Sequence, residues 1–233
     1  MDDRSPDQCG ASESRRTEEA HRVLLLQPGA VLAMSSGGCA RYAFSCDTHY
    51  CLDRRGYPLI HYTSGNPHHH LILTNSSMSL RLPHKIDADG NELSLLIITG
   101  TLHLVDPGDH DSIDRHFRYF KRMAENFSRG AGRLYRFIPD GVFFELISGE
   151  RQPLEINKLL KRNPFNERDE SRLIEFASKH LRHLHIQAKV GDVIGIDGYG
   201  LDTEVKGTVI RKFFHTCVEA VGDAEMAITG LEW

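Results

Sequence analysis

The densest run of chemically active side chains is His68-His69-His70, in a chain that carries 14 histidines among 233 residues. Imidazole is the commonest metal ligand and the usual axial ligand of heme iron. Asn66-Pro67, just upstream, predicts a helix start, and a helix N-terminus favours anions. Successive helical residues point in different directions, so the three rings cannot all serve one metal. His180 and His183 share a helical face and His185 follows them; the plain reading is a solvated polar face. Arg81 alternates with Leu80 and Leu82, so it points away from them and is suited to hold a carboxylate or phosphate at a groove. Lys121, Arg122, Arg129, Arg133 and Arg136 form either an anion patch or a solvated rim. The five cysteines are Cys9, Cys39, Cys46, Cys51 and Cys217, and free thiols are expected. Cys46 and Cys51 flank His49 at a spacing that fits no common zinc motif. No nucleophile with a base partner, glycine-rich phosphate loop or paired-carboxylate signature is found. Phe117, Phe120, Phe137, Phe143 and Phe144 read as core.

The elements that must position these groups follow from periodicity and turn chemistry. The polar residues 1–20 predict a flexible tail, with a short helix from near Ser14 through Leu26, stopped by Pro28-Gly29. Strands are expected at residues 30–34, 42–52 and 58–63, the last two joined by a turn at 53–56. In residues 42–52, Tyr42, Phe44, Cys46, Thr48 and Tyr50 fall on one face. Further strands are expected at 77–83 and 93–105, where Gly100 predicts a bulge or bend. Residues 110–126 read as a helix, and 135–147 as two short strands around Pro139-Asp140-Gly141. After Gln152-Pro153 the composition changes. Residues 156–168 look like a linker, 170–186 like a helix, 193–197 and 205–214 like strands, and 217–230 like a final helix. Antiparallel hairpins with intervening helices favour an α+β fold over a parallel sheet. The domains expected are a tail at 1–20, a β-barrel at 21–155 and a small α/β domain at 156–233.

Composition narrows the function. A formal charge of −4 gives no sign of nucleic acid or an anionic membrane as partner. No apolar run approaches the ~20 residues that span a bilayer. The polar N-terminus lacks the apolar region of a secretory signal. A cytoplasmic protein is expected.

Several segments carry a family resemblance. Tyr42-Ala43-Phe44, Tyr50-Cys51-Leu52-Asp53 and Gly56-Tyr57-Pro58-Leu59-Ile60 resemble the second and third strands of the pyridoxamine 5'-phosphate oxidase-like FMN-binding split barrels, and are most similar to the heme-utilisation (HugZ/HutZ-type) branch. His68 falls at that branch's motif histidine, Ser79-Leu80 at its next strand, and Thr99-Gly100-Thr101 at the one after. Residues 139–144 resemble the last barrel strand. Residues 194–202 resemble the branch's small C-terminal domain. The resemblance implies an antiparallel split β-barrel plus a small C-terminal α/β domain, a homodimer, and a small planar cofactor held between subunits. The motif arginine that contacts the FMN phosphate falls on His70, and Asp47 would repel a phosphate, so heme is the cofactor implied first and FMN the alternative. The implied function is heme binding, with heme degradation as its chemical extension. The alternatives are an FMN-dependent oxidoreductase and a non-catalytic binding or regulatory module. Cofactor contacts are expected from His68, His69, His70 and Arg81. His70 and His215 are the expected iron ligands, His215 being the histidine nearest the C-terminus.

Overall fold

The computed structural model describes residues 6–26, 29–35, 43–63, 77–86, 92–128, 130–146 and 149–233. Six strands close into an antiparallel barrel: β1 (Gly29–Ser35), β2 (Ala43–Leu52), β3 (Pro58–Thr63), β4 (Met78–Ile86), β5 (Glu92–Leu104) and β6 (Gly132–Leu146). Their order is β3-β2-β1-β4-β5-β6, and β6 returns to pair with β3, which removes the free edges. A short β7 (Arg151–Pro153) adds to the end of β6. The alternation is that of a packed barrel. Leu32, Tyr50, Ile60, Leu80, Leu96, Ile98 and Phe137 point inward and are almost fully buried. The β2 face expected from residues 42–52 is the inward one at Thr48 and Tyr50, with Phe44 and Cys46 packed against the core.

Gly100 marks a bulge, as expected. Thr99 pairs with Gly141 and Gly100 with Pro139, leaving Asp140 as the extra residue on β6. A Cβ on Gly100 would collide with the carbonyl oxygen of Ile138, so only glycine fits. Here the reading of Pro139-Asp140-Gly141 as a turn between two strands is corrected. The proline, which has no N–H to donate, sits at the irregularity, and one strand of 15 residues runs through it.

The N-terminal helix α1 spans Pro6–Leu26 and so begins well before Ser14. Thr17, Ala20, His21 and Leu24 recur at helical spacing and are buried, so the stretch read as tail is packed over its second half. Tyr50 donates a hydrogen bond of 2.7 Å to the carbonyl of Leu24. The single helix expected over 110–126 is two, α2 (His110–Tyr119) and α3 (Lys121–Ser128), separated at Phe120.

The C-terminal unit has one more strand than expected. Helix α5 (Glu167–His183) follows the single turn α4 (Ile156–Leu159). Then come α6 (Gln187–Val190), strands β8 (Asp192–Asp197), β9 (Gly200–Val205) and β10 (Thr208–Phe213), and helix α7 (Val221–Thr229). Lys206 and Gly207, at φ 52° and 85°, make the tight turn between β9 and β10; the expected second strand, 205–214, is β10, and the additional strand is β9. Leu173, Ala177, Leu181, Ile196, Leu201 and Ile228 form this unit's own core. The expected linker is docked rather than free. Leu159 is buried in the barrel core, Phe165 in the second core, and Asn163 donates to the carbonyl of Ile196 at 2.9 Å. Among the described residues no helix is long and apolar enough to cross a membrane.

Candidate functional site

Along β2 the side chains that do not enter the barrel are Ser45, Asp47 and His49, all exposed. Strand pairing sets what surrounds them. His49 lies opposite Gly29, and Asp47 opposite Val31. Val31 in turn lies opposite Arg81, and Arg81 opposite Ile97. The outer face therefore carries a row Asp47–Val31–Arg81–Ile97, with His49 one pleat further along. Arg81 is exposed and points away from the buried Leu80 and Leu82, as the alternation predicted. Two strand spacings separate it from the β2 row, roughly 10 Å. A Cβ on Gly29 would meet nothing within 4 Å, so among the described residues the surface beside His49 is open.

His49 also stands at the mouth of a groove of about 860 Å3 between α3 and the β9–β10 hairpin. Phe120 and Met123 supply apolar walls, Val209 lines the opposite side, and Lys121, Arg122 and Lys206 bring positive charge. The His49 and Phe120 rings meet edge to face, 6.0 Å between centroids. Lys121 is held 3.2 Å from Glu204, whose other oxygen accepts from the backbone N–H of Gly207 at 2.7 Å. Those two bonds, the backbone one foremost, hold the Glu204 carboxyl below the usual range. The groove is of a size that holds a drug- or cofactor-sized molecule.

The residues singled out in the sequence separate sharply. His68, His69, His70 and Arg129 lie outside the described residues. His215 is exposed just after β10. His183 is exposed while His180 has a buried ring nitrogen without a partner. Among the described residues no three metal-ligating side chains gather at one point. Cys46 packs toward the barrel core, 3.3 Å from the Tyr62 hydroxyl, and Cys51 belongs to a different cluster on the other face. The expected basic patch is also broken up. Arg136 donates to Asp53 at 2.6 Å and Asp109 at 2.8 Å, so only Lys121 and Arg122 of that set line the groove. Of the aromatic set, Phe137 and Phe144 are core as expected, while Phe120 lines the groove.

One pairing has the look of a nucleophile and base. Cys51 Sγ lies 3.7 Å from His116 Nδ1. Burial pushes the thiol up to about 12 and pushes His116 down to about 3. The thiol stays protonated and donates to a neutral ring, so this pair is structural. His49 is the residue that sequence reasoning passed over, having weighed it only as part of a zinc motif. The alternation of Ser45, Asp47 and His49 against an apolar opposite face was the signal that marks it.

No family model matches the chain, and no curated protein matches it. Solved structures do. The chain is similar to Atu2129 of Agrobacterium tumefaciens, a protein of unknown function, with 18% identity and a TM-score of 0.67 over 93% of this chain and 95% of that one. It is similar to a heme binding protein from Mycobacterium smegmatis, with 13% identity and a TM-score of 0.54 over 91% and 93%. HutZ of Vibrio cholerae, a heme storage protein, matches 59% of this chain and 99% of its own, at 12% identity and a TM-score of 0.45. The chain thus has the fold that its sequence resemblance implied, an antiparallel split β-barrel followed by a small α/β unit.

Proposed function

We propose that the protein binds heme on the outer barrel face, with the imidazole of His49 toward the iron and the propionates toward cationic side chains. One observation carries the reading. An exposed imidazole stands where an open strand surface meets an apolar-walled groove rimmed by Lys121, Arg122 and Lys206. A flat apolar macrocycle with two carboxylates calls for that combination. The residues present fit the group. Phe120 and Met123 offer apolar contact, and Arg81 or the groove lysines offer charge-assisted hydrogen bonds to carboxylates. Bound heme supplies a redox-active iron; the chain binds and orients it and limits water around it. The likeness over both parts of the chain to a heme binding protein supports the same reading. FMN is the alternative ligand: its phosphate would use the same cations, and Asp47, across Val31 from Arg81, opposes a phosphate or a propionate there alike. The reading includes a homodimer, with Val31 of the outer face placed at the seam.

The test is a titration of the purified chain with hemin and, separately, with FMN, followed by absorption. A sharp Soret band that shifts and weakens in His49→Ala supports the site. A band unaffected by His49→Ala but lost on replacing His68, His69 and His70 together moves the ligand to those residues. Flavin bands without a Soret response overturn the heme reading.

A further inference from the structure

The groove beside His49 takes its charged lining from both parts of the chain. Lys121 and Arg122 come from α3, and Glu204 and Lys206 from the β9–β10 hairpin of the C-terminal unit. The four charges are not equivalent. Glu204 accepts from the Gly207 N–H at 2.7 Å, and its other oxygen lies 3.2 Å from the Lys121 ammonium. Asp192 stands 4.0 Å from the same ammonium. Lys121 is therefore occupied by carboxylates of the chain itself, and Glu204 by a cation and a backbone donor. Arg122 and Lys206 are exposed and make no ion pair among the described residues.

Lys206 is also unusual in its backbone. Val205 pairs with Thr208, so Lys206 and Gly207 are the two central residues of a two-residue turn. Both have positive φ, and Lys206 is at 52°. That conformation strains a lysine, whereas asparagine followed by glycine adopts it readily. The turn alone gives no reason for a lysine here. The groove does, because an unpaired cation on its rim meets the negative charge of a bound molecule.

We propose that Lys206 and Arg122 receive a carboxylate of the bound molecule, and that Glu204 sets the groove's affinity for anions by keeping Lys121 from it. This rests on the reading of the groove as part of the heme site, and it names the ligand class that the groove accepts. An exposed charge pair contributes only about two- to fivefold in affinity. Two such pairs do not retain a small anion, so the apolar contact with Phe120, Met123 and Val209 is needed as well. The ligand is an apolar body with a carboxylate that reaches the hairpin turn. The C-terminal unit thus takes part in binding and chooses by charge.

The probe is metal-free protoporphyrin, compared with its dimethyl ester by fluorescence titration of the full chain. Neither has an iron for His49, so the charge preference is read apart from ligation. The free acid is expected to bind at least about fivefold tighter than the ester. Lys206→Asn removes the cation and suits the turn. It should weaken the acid about two- to fivefold, leave the ester unchanged, and leave the melting temperature equal or higher. Glu204→Gln keeps an acceptor for Gly207 and releases Lys121. It should strengthen the acid about two- to fivefold without changing the ester, a gain that loss of a merely structural contact does not give. Equal binding of acid and ester overturns the proposal, as does a weaker acid in Glu204→Gln. If hemin still gives a Soret band that depends on His49, such a result removes the charge selection alone. Uptake of neither porphyrin nor hemin removes both readings. If Lys206→Asn does not fold, the acid–ester pair and Glu204→Gln still decide the matter.

Discussion

The two places where the barrel meets something else use charge in opposite ways. Where it meets the C-terminal unit, charges are buried and paired. Glu170 of α5 is fully buried and is ion-paired to Arg115, to Arg54 at 2.7 Å and to Arg118 at 3.2 Å. Arg115 also donates to the Leu52 carbonyl at 2.7 Å. Nearby, Arg211 bridges Asp202 at 3.0 Å and Asp197 at 2.5 Å, and Tyr119 donates to Asp202 at 2.5 Å. On the outer face, Arg81, His49 and Asp47 are exposed and have no such web among the described residues. The comparison teaches that this chain spends its most tightly held arginines on fixing one unit against another. The groups left open lie on β2 and β4, where they are available to a ligand. Burial raises Glu170, but the Arg115, Arg118 and Arg54 cations outweigh it and hold the carboxyl below its usual range. Asp202 goes the other way, because its burial outweighs Arg211.

The largest effect expected is at the junction. Glu170→Ala strands three guanidinium groups and should cost about 5 kcal/mol, at the upper end for breaking a buried pair. Urea unfolding measures it. A change under about 1 kcal/mol would mean the web does not hold the units together. Because the folded carboxyl of Glu170 is depressed, its stabilisation is present above the unfolded value and is lost as pH falls through the folded one.

A second effect comes from His116, whose folded value of about 3 lies below the ordinary 6.5. The unfolded chain binds the extra proton between those values, so stability rises with pH across that window and falls on acidification through it. The loss is roughly 3–4 kcal/mol after relaxation. His116→Phe, which places a ring among Phe117 and Phe120, should flatten the curve between pH 6.5 and 3. An unchanged slope in thermal melts over that range contradicts the assignment.

Smaller again, Gly100→Ala should cost about 1–3 kcal/mol, since the new methyl meets the Ile138 carbonyl. Chemical denaturation with an unchanged midpoint would show that the bulge relaxes freely. On the open face the effects are on binding rather than folding. Arg81→Ala should weaken heme about two- to fivefold with no change in unfolding midpoint, the scale of an exposed charge pair. A stability loss instead would make Arg81 part of the scaffold.

Much of the barrel was legible. The inward set of β2, Arg81 pointing away from Leu80 and Leu82, and the break at Gly100 all follow from a period of two. What was missed depended on partners distant in sequence. Pro139-Asp140-Gly141 has turn chemistry, yet Thr99 and Gly100 pair with it and carry the strand through. Residues 156–168 look like a linker by composition, but Leu159 and Phe165 find separate cores 0 and 1% exposed. The three strands of the C-terminal unit were read as two because Gly198-Tyr199-Gly200 has turn chemistry, which hid β9 starting at Gly200. The histidine count drew attention to His68, His69 and His70. The ring the fold leaves open beside a groove is His49, a single residue whose significance comes from Gly29 opposite it and Phe120 across from it.

The most direct measurement is a crystal structure of the chain grown with heme. The account predicts the iron within bonding distance of a His49 ring nitrogen, with a propionate at Arg81 or at the Lys121–Arg122 rim. Heme ligated elsewhere with the His49 face empty, or a folded protein that takes up no heme, contradicts it.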